Sequence, residues 1–140
     1  MNSTLWAKAH GAATHLPLAL IATSVALDGA ALALGPRTLA RELRHAGFWT
    51  MQLGALGAVG AVFSGLFLSK GEVLGHGALR LHHIFVWPAF ALAIALALWR
   101  AVLRDQVAPR WFAVYVGGSA VAAGLMLGAG YWGGELLLAN

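Results

Sequence analysis

Long apolar runs alternate with short polar connections along the whole chain. The runs cover residues 11–34, 48–69, 82–99 and 111–138. About twenty apolar residues carry a helix across a bilayer. The pattern therefore predicts four transmembrane helices. Short connections make neighbouring spans antiparallel. The expected architecture is an all-α up-down four-helix membrane bundle, with residues 1–140 as a single domain. The first run has some features of a cleaved leader, with Lys8 ahead of it and Ala31-Leu32-Ala33 near its end. It is longer than a leader and holds Pro17 and Asp28 in its body, so it is read as a retained span.

Composition narrows the class. Of 140 residues, 60% are hydrophobic and only 10% are charged. A soluble domain carries about 25% charged residues and could not cover this apolar content. Eighteen glycines fit close-packed helices better than a barrel. With no cysteine there is no disulfide, no thiolate metal site and no attachment point for a c-type haem. The net charge of +4 is spread over the connections, which is a topology signal and no sign of nucleic-acid binding. Arg37, Arg41, Arg44, Arg100, Arg104 and Arg110 fall on one side, and Lys8, Lys70 and Arg80 on the other. The six-charge side is expected to be cytoplasmic, with both termini outside.

Stripes of small residues suggest which faces pack. They are His15, Ala19, Ala22, Ala26, Gly29 and Ala33 in the first span, and Gly54, Gly57, Ala58, Ala61 and Gly65 in the second. The fourth span has Gly117, Gly124, Gly128 and Glu135. Ionisable residues in lipid are costly and so mark function. Five of six histidines (His10, His15, His76, His82 and His83) gather at the outer end with Glu72 and Glu135, while His45 lies opposite. Imidazoles from facing helices can ligate a b-type haem, or can bind a metal together with a carboxylate. His15 lies in a small-residue stripe and is expected to point inward. His82 shares its face with Ala89 and Ala93, which favours it over His83 as the partner ligand. Gly128, Gly133 and Gly134 would let the fourth span close over a ring. Asp28 lies about 20 Å deeper than His15, too far to share its site, and is expected to pair with Arg37, Arg41 or His45.

Several motifs resemble a known family. His15-Leu16-Pro17-Leu18-Ala19-Leu20 followed by Asp28, Ser64-Gly65-Leu66, and the span opened by His82 and closed by Arg100 are three of them. The fourth is Gly130-Tyr131-Trp132-Gly133-Gly134-Glu135-Leu136. Together they resemble the bacterial "domain of unknown function 2231" membrane family along nearly the whole chain. The resemblance implies a four-helix membrane protein of bacteria and singles out His15, Asp28, His82 and Glu135. It also implies an association with Rieske or cytochrome c type modules, and through it electron transfer.

The leading expectation is a small b-type cytochrome of the bacterial inner membrane. One haem would lie between His15 and His82, with Glu135 accepting a ligand N–H. Electrons would pass between quinone and a periplasmic Rieske or cytochrome c type partner, with the chain alone, as a homo-oligomer, or as a subunit of a larger complex. One alternative is a metal-binding or transport protein using the same histidines with Glu72 or Glu135. It suffers from a mid-membrane polar content of only Ser24, Gln52, Ser64 and Ser119. A cofactor-free anchor or assembly subunit is the other alternative.

Overall fold

The computed structural model describes residues 3–104 and 106–138. Four helices follow in order: α1 Ser3–Leu34, α2 Thr38–Leu68, α3 Gly77–Leu103 and α4 Pro109–Leu138. Each is long and apolar enough to cross a membrane. An all-α four-helix membrane bundle is therefore the architecture, as the hydrophobic runs predict. The helices extend beyond the apolar runs. α2 starts ten residues earlier than its run and includes Arg41, Arg44 and His45. Charged side chains at a membrane boundary reach water by extension, so the backbone has no reason to stop at the first arginine. The α1–α2 turn uses Gly35 at φ +65°, and the α2–α3 loop uses Gly71, Gly75 and Gly77 at positive φ.

The chain packs as two helical hairpins, α1 with α2 and α3 with α4, joined along α1–α4 and α2–α3. The core runs through Ile21, Met51, Ala55, Ala93, Leu96, Ala97, Phe112 and Tyr115. Leu16, Leu53, Leu56, Phe63, Leu98, Val121 and Leu127 are exposed, as lipid-facing side chains should be. The α2 stripe is the packing face: Gly54, Ala58 and Ala61 are buried. A Cβ on Gly54 would lie 2.7 Å from Ile21 Cγ1, so glycine lets the α1 backbone approach.

The stripes of α1 and α4 differ from expectation. Ala19, Ala22, Ala26 and Ala33 are exposed, and α1 packs through Pro17, Ile21, Ser24, Asp28 and Ala31. On α4, Gly117, Gly124 and Glu135 are exposed, and Phe112, Tyr115, Ser119, Ala122 and Ala129 are buried. The physical reason is Asp28. A carboxylate in a bilayer must turn inward to a partner, and that choice fixes the rotation of α1 whatever small residues lie elsewhere.

That partner is Arg100 on α3, not Arg37, Arg41 or His45. Arg100 Nη1 and Nη2 each donate to Asp28 at 3.1 Å, with both side chains about 1% exposed. Arg100 Nη2 also donates to the Arg44 carbonyl at 2.8 Å. Ser24 Oγ donates to the Gly47 carbonyl at 2.9 Å and lies 3.3 Å from Asp28 Oδ2. Phe112 and Tyr115 lay their rings against the guanidinium of Arg100, with centroids at 4.9 and 4.8 Å. This clasp ties α1, α2, α3 and α4 together at the arginine-rich end. Because Arg100 is consumed in it, the topology count becomes five basic residues against three.

Candidate functional site

At the opposite end, where α1 begins and α4 finishes, the two hairpins splay around a cavity of about 690 Å³. That volume falls within the range of small-molecule and cofactor sites. Its walls are mostly apolar, from Leu18, Val62, Val86, Phe90 and Met126, and four imidazoles line it: His10, His15, His82 and His83. Four of the five histidines expected at this end therefore gather around the cavity, while His76 is exposed in the α2–α3 connection.

Each imidazole is held differently. His82 Nδ1 lies 2.7 Å from the Ala129 carbonyl of α4. A carbonyl only accepts, so Nδ1 carries the proton and Nε2 of the neutral ring keeps its lone pair. Gly133, one turn beyond Ala129, makes room: a Cβ there would meet His82 Nδ1 at 3.3 Å. His10 Nδ1 lies 2.8 Å from Ser64 Oγ of α2. Ser64 Oγ also lies 2.9 Å from the Ala61 carbonyl, and with its one proton directed there the hydroxyl accepts from His10. His10 is therefore also an Nδ1–H tautomer with Nε2 free. His83 is 7% exposed, and its Nδ1 has no hydrogen-bond partner. Its ring lies 5.7 Å from that of His82 and 6.1 Å from that of Trp87. His15 is exposed where it lines the cavity.

Several expected site residues take other positions. Both His82 and His83 reach the cavity, because the space between splayed hairpins spans more than the 100° separating neighbouring helical positions. Gly133 and Gly134 line it. Gly128 lies outside it and receives the Phe85 ring, whose Cδ1 would be 2.7 Å from a Cβ there. Glu135 is exposed and outside the cavity lining, so the carbonyl of Ala129 accepts from His82 instead. Six positions along a helix is about 240° of rotation, which turns Glu135 away from the Ala129 face. The sequence does not mark Ser64 or Ala129 as an imidazole partner. Ser64 was legible as an intramembrane hydroxyl, while a backbone carbonyl has no sequence signal.

Among the described residues, no three His, Asp or Glu side chains come together to hold a metal ion. The mid-membrane polar groups are used internally: Ser24 on Gly47, Gln52 on Ala97, Ser64 on Ala61 and Ser119 on Tyr115.

No curated protein and no solved structure matches the chain. A family model described as "Predicted membrane protein (DUF2231)" matches residues 8–139. The chain thus belongs to the DUF2231 family of predicted membrane proteins.

Proposed function

We propose that this protein is a b-type cytochrome or electron-transfer subunit that holds one haem in the cavity between its two hairpins. The observation carrying this reading is His82. It lines a 690 Å³ apolar cavity with its Nδ1–H committed to a backbone carbonyl and its Nε2 free. Ligating histidines are typically arranged this way, since the outer hydrogen bond fixes the tautomer and raises the basicity of the ligating nitrogen. The donor set fits haem, which needs at most two protein ligands, better than a bare metal ion, which needs three or more.

When bound, haem supplies a one-electron ferric–ferrous couple. The chain would do the rest. His82 and a second imidazole from α1 would hold the iron. Val62, Val86, Phe90 and Met126 would exclude water. His83 Nδ1, buried and without a hydrogen-bond partner among the described residues, would be available to a polar group of the bound cofactor. With five arginines on the other side, the cavity opens toward the periplasm of a bacterial inner membrane. There quinone in the lipid and a Rieske or cytochrome c type protein in the periplasm would exchange electrons through it. The test is the absorption spectrum of protein purified from cells supplied with a haem precursor. A Soret band and a sharp α-band on reduction support the reading. A colourless protein that also fails to take up added hemin overturns it.

A further inference from the structure

We infer that the second haem ligand is His10, and that the two hairpins present a matched pair of imidazoles to the cavity, one each. The inference rests on the haem reading above and assigns its ligand set.

The match is geometric. In the first hairpin, His10 on α1 is anchored through Nδ1 to Ser64 on α2, at 2.8 Å. In the second, His82 on α3 is anchored through Nδ1 to Ala129 on α4, at 2.7 Å. Each ring is seated over a glycine of its partner helix. A Cβ on Gly65 would meet His10 Cε1 at 3.0 Å, and one on Gly133 would meet His82 Nδ1 at 3.3 Å. Both rings line the same cavity. Neither Nε2 makes a hydrogen bond within the described residues. Two neutral imidazoles, fixed in the same tautomer by acceptors on their own hairpins, offer lone pairs to one cavity from α1 and α3. That is the arrangement a six-coordinate iron between two histidines requires.

His15 lacks these features. It lines the cavity but is exposed, and no described hydrogen bond holds its ring. Five positions along α1 separate it from His10, about 7.5 Å in depth and 140° in rotation, so the two cannot serve interchangeably. Ser64 acts through His10 and is a positioning residue. Its accepted hydrogen bond would make the His10 imidazole more electron-rich and favour ferric iron.

The experiment reconstitutes the full-length protein and its His10→Ala, His15→Ala, His82→Ala and Ser64→Ala variants with hemin. Absorption and electron paramagnetic resonance spectra are recorded, and midpoint potentials measured. His10→Ala and His82→Ala should each lose the low-spin spectrum, and added imidazole should restore it, which shows the fold intact. His15→Ala should keep it. Ser64→Ala should stay low-spin with a raised midpoint potential, returned toward wild type in Ser64→Thr. A low-spin spectrum that survives His10→Ala but is lost in His15→Ala overturns the assignment while leaving the haem reading in place. Wild-type protein with no Soret band overturns both. An unchanged potential in Ser64→Ala overturns the positioning role.

Discussion

Neutralising Asp28 tests the clasp at the arginine-rich end. Asp28→Asn keeps the shape and one acceptor oxygen but removes the charge. It leaves the Arg100 guanidinium about 1% exposed with no carboxylate against it. Two charge-assisted hydrogen bonds at 3.1 Å are weakened together. Breaking a buried pair by removing one member costs about 3–5 kcal/mol, because the remaining charge stays desolvated. Asn retains part of the bonding, so the expected loss is about 3 kcal/mol, the lower end of that range. Arg100→Gln should cost a similar amount. The Asp28→Asn/Arg100→Gln double variant removes both charges of the pair and should fall short of the summed single losses by at least about 2 kcal/mol. The assay is reversible unfolding in mixed detergent micelles, followed by far-UV circular dichroism, for all four members of the cycle. Losses that add to within about 0.5 kcal/mol would show that the two side chains do not act as a pair, and the reasoning would fail.

Other outcomes follow from the same packing. Gly47→Ala would place a Cβ 2.6 Å from Asp28 Oδ1, so the clasp must shift; a loss of about 1–3 kcal/mol is expected in the same unfolding assay. Asp28→Asn should leave the haem spectrum unchanged, since the clasp and the cavity lie at opposite ends of the bundle. His45→Ala should also leave that spectrum unchanged, as His45 is exposed and packs beside Trp49. Reporter fusions after Arg41 and Arg104 should read cytoplasmic, and fusions at Gly75 and the C-terminus periplasmic. The reverse pattern would place the cavity in the cytoplasm and remove the periplasmic partner.

Span number, order and hairpin pairing were legible in the sequence because lipid demands long apolar runs and short connections demand antiparallel neighbours. Rotation was legible only in part. The α2 stripe faces inward because Gly54 there admits Ile21. On α1 the alanine stripe gave the wrong face, because a single buried carboxylate outweighs several methyl groups in setting which side turns from lipid. Arg100 reads as a loop charge, since it closes an apolar run, and its pairing across 72 positions has no local signature. At the cavity, the gathering of histidines follows from counting which residues share an end of the bundle. Their partners do not, because hydrogen bonds to Ser64 Oγ and the Ala129 carbonyl depend on register between helices. Glu135 shows the same limit: it is near the site in sequence depth and turned away in rotation.

The central claim is that the cavity holds haem b through paired imidazoles. The most direct measurement is a pyridine haemochrome assay of haem per chain, on wild-type protein and His82→Ala purified side by side from membranes. The account predicts close to one non-covalent haem b per wild-type chain and a large loss in the variant. Haem absent from both, or equally abundant in both, would contradict it.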